Sequence, residues 1–227
     1  MFKSIKPSDY SSYRSQKRYL QYVKRTKKNR VIETLGMKLS VFPKSYEPKG
    51  DSELMARTVK INKKQIFLEI GTGCGMVTLY LSRKAKKGLA TDINPYAIRN
   101  AKYNAKMLGI KNVTFAISDV FSRVKGKYDI LIFNPPYSNH KAKDLTDRIF
   151  WDTNNEAKVK FFKQVKYHLN PNGRIYFGWA DFKDLDINLP LRLISGEGFH
   201  ITKVVAKDHG KFKFYVFESK ASAPPKE

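Results

Sequence analysis

One cysteine, Cys74, in 227 residues excludes an intramolecular disulfide framework and suits a reducing cytoplasm. Long apolar runs are also missing. None approaches 18 residues, so a transmembrane helix, and with it a membrane partner, is not expected. The first 25 residues have no apolar core of the secretory type. Their basic, serine-containing, acid-poor character is shared by mitochondrial presequences and by basic surface helices. The four histidines, His140, His168, His200 and His209, are scattered and have no metal-ligand spacing, and no cysteine nucleophile arrangement accompanies them. No metal site is expected.

Acidic residues are scarce: 20 Asp and Glu stand against 44 Lys and Arg, a net charge of +24. A polyanionic partner, RNA or DNA, is the physical expectation; a lysine-rich composition spread over solvated faces is the alternative. Residues 1–30 carry ten basic side chains against one acid, Asp9, with Tyr10, Tyr13, Tyr19 and Tyr22 interleaved. Those rings can stack on bases or pack the segment onto the rest of the chain. Hydrophobic residues make up 41% of the sequence, enough to bury a core.

From residue 65 the patterning alternates. Strands are expected at 65–70, 88–93, 113–118, 128–133, 174–179, 201–206 and 212–218. Helices are expected at 75–85, 95–108, 156–169 and 190–197, with Asn170-Pro171-Asn172-Gly173 as a turn. Strand–helix alternation with short connections implies an α/β fold with an open, mostly parallel sheet covered on both faces. The last two strands, joined by a tight loop, must be antiparallel. Three units are expected: a basic, partly helical N-terminal extension (1–45), a main domain (46–219) and a disordered tail (220–227). Ligands of such sheets bind beyond the carboxyl ends of the strands.

Glu69-Ile70-Gly71-Thr72-Gly73-Cys74-Gly75 follows the first strand. A dinucleotide loop needs its third glycine at 76, where Met76 stands. The acid at 69 would repel a phosphate and favours a cationic group such as an ammonium. Asp92, about 20 residues on, can accept two hydrogen bonds from a ribose diol, and Ile93 offers an adenine an apolar edge. Asp119 can accept from an exocyclic amine, with the Val120 amide beside it. Together these sketch a site for an adenosine that carries an amino acid rather than phosphates.

After the fourth strand comes Asn134-Pro135-Pro136-Tyr137. The Asn134 amide oxygen and the Pro135 carbonyl are two acceptors on a chain stiffened by tandem prolines, and Tyr137 can lie flat against a planar group. That combination suits a planar –NH2 of an amide or a nucleobase. Trp179 and Asp181, after the fifth strand, are further pocket candidates, with core packing an equal account of Trp179.

LEIGTGCG, ATDIN, SDVF and IFNPPY, in this order and spacing, resemble the class I S-adenosylmethionine-dependent methyltransferases. More narrowly, residues 40–219 resemble the amino-methyltransferases with an (N/D)PP(Y/F/W) motif, the HemK-type glutamine methyltransferases and the "methyltransferase small" nucleic-acid enzymes. The stretch YEPKGDSELM (46–55) is similar to the segment before the HemK-like core; Asp51 or Ser52 would also cap a helix there. The resemblance implies a doubly wound, seven-stranded Rossmann-like sheet with one antiparallel strand, and S-adenosyl-L-methionine as cofactor. It implies that Gly71, Thr72, Gly73 and Gly75 contact the methionine moiety, with Glu69 beneath the loop. Asp92 and Ile93 would meet the ribose and its surroundings, Asp119 and Val120 the adenine, and Asn134 would border the cofactor. Asn134 and Pro135 would accept the amino hydrogens of the acceptor, with Pro136 and Tyr137 completing its site. The release-factor enzymes of this group carry a larger helical domain in front. Here a basic segment of about 45 residues stands there, which favours a base in RNA or DNA as acceptor, with a release-factor glutamine as the alternative. A small-molecule amine, or a nucleic-acid-binding module without catalysis, stays open.

Overall fold

The computed structural model describes residues 5–222. The chain runs through α1 (Tyr13–Arg25), β1 (Arg30–Thr34), β2 (Met37–Val41), α2 (Gly50–Thr58), β3 (Ile66–Ile70), α3 (Met76–Ser82), β4 (Lys87–Asp92), α4 (Pro95–Met107), β5 (Val113–Ile117), β6 (Tyr128–Phe133), α5 (Glu156–Val165), β7 (Leu169–Ala180), α6 (Leu189–Gly196), β8 (Phe199–Asp208) and β9 (Lys213–Ala221). Seven strands form one sheet in the order β5-β4-β3-β6-β7-β9-β8. Only β9 is antiparallel to its neighbours, β7 and β8; the other pairs are parallel. The fold class expected from the alternation is therefore the observed one.

Both faces of the sheet are buried, and side chains alternate between them with the two-residue period of a strand. On β6, Leu131 and Phe133 join Phe161, Phe162 and Phe177 on one side. Ile130 and Ile132 join Met55, Leu79 and Tyr176 on the other. Winding proceeds outward from β3 to β5, then returns to β6 on the far side of β3. The carboxyl ends of β3 and β6 thus adjoin at the switch point, where such sheets open a crevice.

Three details depart from the sequence expectations. The 170–173 turn is an insertion within β7. Tyr128 pairs with Leu169 and Ile130 with Arg174, so four residues bulge opposite one, held by Asn170 Nδ2 donating to Asp129 at 2.8 Å. A β1–β2 hairpin lies inside the N-terminal segment, where only partial helix was expected. It is fastened to α4 by two buried amides: Asn104 Oδ1 accepts from the Ser40 N–H at 2.9 Å and Asn100 Oδ1 from the Phe42 N–H at 2.8 Å. The boundary at 219 falls inside β9, which continues to Ala221. Residues 223–227 of the expected tail lie outside the described residues.

α1 lies across the carboxyl edge of the sheet. Asp184 accepts from the Ser12 and Tyr13 amides at 2.9 and 3.2 Å, satisfying donors that a helix start leaves free. The Ser8 N–H donates to the Asp181 carbonyl at 2.7 Å, and Tyr10 packs against Phe182 and Phe212. Gln16, Leu20 and Val23 are buried, whereas Arg14, Lys17, Arg18 and Arg25 face outward. No helix among the described residues is long and apolar enough to cross a membrane.

Candidate active site

A cavity of about 340 Å³ opens at the switch point. It is lined by the glycine turn after β3, by Asp92 and Ile93 after β4, by Asp119 and Val120 after β5, and by Asn134 to Tyr137 after β6. Glu69, Gly71, Thr72, Gly73, Asp92, Ile93, Asp119, Val120 and Asn134 to Tyr137, all expected at the site from sequence, are thus brought to one cavity; Gly75, expected with them, lies behind the turn against Ala101 instead. The further candidates Trp179 and Asp181 do not line it. Trp179 is core, 1% exposed, and Asp181 is occupied by the Lys213 amide and the Tyr215 hydroxyl at 2.8 and 3.1 Å.

Gly71, Gly73 and Gly75 have φ of +74°, +57° and +91°, the left-handed region that glycine enters without steric cost. At Gly75 a Cβ would also stand 3.1 Å from that of Ala101, so the turn packs directly on α4. Asp92 secures the same turn, Oδ2 accepting from the Gly73 amide at 2.9 Å and Oδ1 from the Asn94 amide at 2.8 Å. Burial holds the Asp92 pKa above the usual carboxylate value against those two amides. Val120 has φ +50°, a strained conformation for a β-branched residue that the surrounding structure must impose. Asp119 pairs with Lys160, so its carboxylate is engaged rather than free.

Glu69 lies under the turn. Its Oε2 accepts from the Thr72 hydroxyl at 2.8 Å and from the Thr78 amide at 3.1 Å, and also from the Thr78 hydroxyl. Oε1 takes no hydrogen bond from a described residue. Burial pushes the Glu69 pKa up to about 7, against the lowering effect of the threonine donors. A carboxyl whose folded pKa is raised contributes stability that is full below its unfolded pKa and lost as pH rises through the folded one. Glu69 should therefore cost stability between about pH 4.5 and 7, by at most about 3 kcal/mol. Glu69→Gln is expected to remove that segment of the pH dependence. Thermal unfolding of both proteins across pH 4–8 checks it, and parallel curves would contradict it.

At the end of β6 the Asn134 side chain is held on both sides. Its Nδ2 donates to Asp51 Oδ2 at 2.9 Å, and its Oδ1 accepts from the Tyr137 hydroxyl at 2.9 Å. An ionised carboxylate can only accept, so Asp51 determines which way the amide faces. The side chain has room only because residue 178 is glycine: a Cβ there would lie 2.0 Å from Asn134 Oδ1. The Tyr137 ring is 9% exposed and meets Trp179 and Phe182 edge-on. Burial raises its pKa well above the ordinary phenol value. Of the two proline carbonyls, that of Pro136 accepts from Lys158 at 2.7 Å; that of Pro135 accepts from no described residue.

Several contributors were not legible in sequence. Asp51 is not the helix cap expected of it; α2 starts at Gly50, and the carboxylate turns instead to Asn134, with Tyr46 donating to its other oxygen at 3.1 Å. The match of YEPKGDSE to a segment preceding the core was its only signal. Gln16 of α1 accepts from Ser138 and Trp151 at 2.9 and 3.2 Å, tying the N-terminal segment to the chain after Tyr137. Tyr10 and Tyr19, two of the tyrosines interleaved with the N-terminal basic residues, form part of the cavity wall together with Ser12, Ser15 and Gln16, which no local pattern announced.

The sequence profile of the methyltransferase small domain matches residues 40–217. The chain belongs to this family. Among relatives, a putative protein N5-glutamine methyltransferase of Methanocaldococcus jannaschii is 44% identical over 108 residues, 47% of this chain and 54% of that protein. The ribosomal RNA small subunit methyltransferase C of Haemophilus influenzae is 29% identical over 166 residues, 72% of this chain and 45% of the other. The chain spans about half the length of these curated relatives. The fold is similar to that of the solved structure of Methanocaldococcus jannaschii Trm5 in complex with adenosine, with a TM-score of 0.66 at 17% identity, over 88% of this chain and 57% of that one.

Proposed function

We propose that the chain is an S-adenosylmethionine-dependent N-methyltransferase whose acceptor is an exocyclic amino group of a nucleic-acid base, adenine N6 or guanine N2. The observation that carries this reading is the pair of acceptors at the end of β6. Asn134 Oδ1 is oriented by Asp51 and Tyr137, and the Pro135 carbonyl is left without a protein donor, both on one cavity.

The residues present fit the cofactor. The glycine turn leaves backbone uncovered for the methionine moiety. Asp92 retains acceptor capacity for a ribose diol beyond its two amide bonds. Ile93, Val120 and the remaining acceptor capacity of Asp119 surround the adenine position. The cavity is of the size that holds a drug-sized ligand. When bound, S-adenosylmethionine supplies an electrophilic sulfonium methyl.

The chain's own residues prepare the nitrogen. Its lone pair is delocalised into the planar group and weakly nucleophilic. Two acceptors on its two hydrogens restore electron density and fix its direction, so orientation and preorganised polarity supply the acceleration. The Asp51 carboxylate next to Asn134 favours the positive charge that develops on the nitrogen. No strong base is required, because the nitrogen becomes acidic only after methylation.

Aromatic rings from Tyr10, Tyr19, Phe182, Phe212 and Phe214 border the cavity and suit a flat base, which in a duplex would have to be unstacked first. The outward face of α1, with Arg14, Lys17, Arg18 and Arg25, suits the adjoining phosphates. In this reading the catalytic unit runs from residue 46 to the end of β9 at Ala221, with α1 a wall of the acceptor site, and buried Cys74 fits a reducing cytoplasm. A protein glutamine, including that of a release factor, is the second reading, favoured by the Methanocaldococcus jannaschii relative. Incubation of the protein with tritiated S-adenosylmethionine and total cellular RNA, DNA and protein, followed by nuclease or protease digestion, tests them. Nuclease-sensitive label is expected. Protease-sensitive label would establish the second reading, and no label in any fraction would overturn both.

A further inference from the structure

Behind the Asn134–Tyr137 segment sits an ammonium group with no solvent exposure. The Lys158 side chain is 0% exposed and its Nζ lies 2.9 Å from Asp152 Oδ2, itself only 4% exposed. The same Nζ donates to the Pro136 carbonyl at 2.7 Å. Asp152 is fixed in turn: it accepts from the Ala157 and Lys158 amides at 2.9 and 3.2 Å, and its own N–H donates to the Ser138 carbonyl at 2.8 Å. The chemistry proposed above uses neither charge. A buried ion pair is a weak source of stability, because desolvation offsets the attraction. The pair therefore needs another account.

The tandem prolines supply one. Neither has an N–H, so the segment cannot be anchored through backbone donors, and its carbonyls are the only backbone handles. The Pro136 ring fixes φ, leaving ψ as the main freedom at that residue, and a donor on its carbonyl restrains ψ. On the other side Asn134 is held by Asp51 and Tyr137. The Pro135 carbonyl lies between two anchored points and is itself left free.

We propose that Lys158, braced by Asp152, is a positioning residue that clamps the Pro136 carbonyl and thereby keeps the Pro135 carbonyl aimed at the amino group being methylated. The proposal rests on Asn134 and Pro135 being the paired acceptors. Lys158 touches no substrate; it acts through the proline segment.

The test compares Lys158→Met, the double variant Lys158→Met/Asp152→Asn, and Asn134→Ala with the unaltered protein. Melting temperature, S-adenosylhomocysteine affinity by calorimetry, and kcat and KM for transfer from tritiated S-adenosylmethionine to total RNA and total protein are read for each. The single variant leaves Asp152 buried and unpaired, so its melting temperature should fall. The double variant leaves no unpaired buried charge and should recover most of that loss. Its kcat should nevertheless stay down by about a hundredfold, the scale of a roughly 1 Å misplacement of a reacting group, with S-adenosylhomocysteine affinity unchanged. Recovery of kcat together with melting temperature would assign the pair a purely structural role and overturn the proposal, as would loss of S-adenosylhomocysteine affinity in the double variant. Full activity in Asn134→Ala, or no transfer by the unaltered protein, would overturn the proposed function itself. Loss in Asn134→Ala with retention in both Lys158 variants would overturn this inference alone.

Discussion

Asn134→Ala should lower kcat by about a hundredfold or more, the scale of losing a preorganised polar contact to a reacting group, with cofactor affinity unchanged. Alanine removes the amide oxygen that would accept one amino hydrogen and leaves the Pro135 carbonyl as the remaining acceptor. It also frees Asp51 and the Tyr137 hydroxyl, which the amide connects at 2.9 Å on each side. These two can then approach each other across their present 3.5 Å, so the folded state has a way to satisfy the freed, buried polar groups. The effect should therefore appear in the rate rather than in stability. Single-turnover transfer at saturating cofactor, alongside calorimetric binding of S-adenosylhomocysteine, separates the two quantities. Full turnover in this variant would remove the basis of the mechanism.

Asp92→Ala should produce the complementary pattern, with cofactor affinity reduced by about a hundredfold. Hydrogen bonds to a charged group contribute roughly 1.5–3 kcal/mol each. Two from a ribose diol to this carboxylate therefore amount to about 3 kcal/mol or more, and every 1.4 kcal/mol is about tenfold in affinity. The variant also releases the Gly73 amide, which Asp92 Oδ2 holds at 2.9 Å, so the glycine turn loses one of its contacts while the Gly71 and Thr72 amides stay on the Thr91 carbonyl. At saturating cofactor the remaining turnover should lie well above that of Asn134→Ala. Binding as tight as that of the unaltered protein would show that the ribose is held elsewhere.

The site was legible where one strand end carries one chemically distinctive cluster. The glycines at 71, 73 and 75, Asp92, Asp119 and Asn134-Pro135-Pro136-Tyr137 each follow an apolar run, and parallel pairing brings such ends to a common edge. The chain boundaries of β6 were readable for the same reason, because Pro135 and Pro136 end the ladder. What was not readable depended on contacts far apart in sequence. Asp51 and Asn134 are 83 residues apart, Gln16 and Ser138 are 122 apart, and no periodicity encodes either pair. Lys158 looks like any lysine on an amphipathic helix; only the position of the proline segment makes its burial intelligible. The hairpin of β1 and β2 did leave a trace, since Met37, Leu39 and Val41 alternate and are buried. Its turn at Leu35-Gly36, with φ of +52° and +67°, places leucine where asparagine or glycine is usual, which hid it. The Asn170-Pro171-Asn172-Gly173 stretch misled in the opposite sense. Its composition is that of a turn, and Asn172 does adopt φ +62°, but it bulges within β7 rather than ending a helix.

The measurement that bears most directly on the central claim is the position of the transferred methyl group. Product labelled from methyl-deuterated S-adenosylmethionine would be digested to nucleosides and amino acids and located by tandem mass spectrometry. The proposed chemistry predicts the label on an exocyclic or amide –NH2 nitrogen, formed about a hundredfold more slowly by Asn134→Ala. A label on carbon, on oxygen or on a ring nitrogen would contradict the paired-acceptor account.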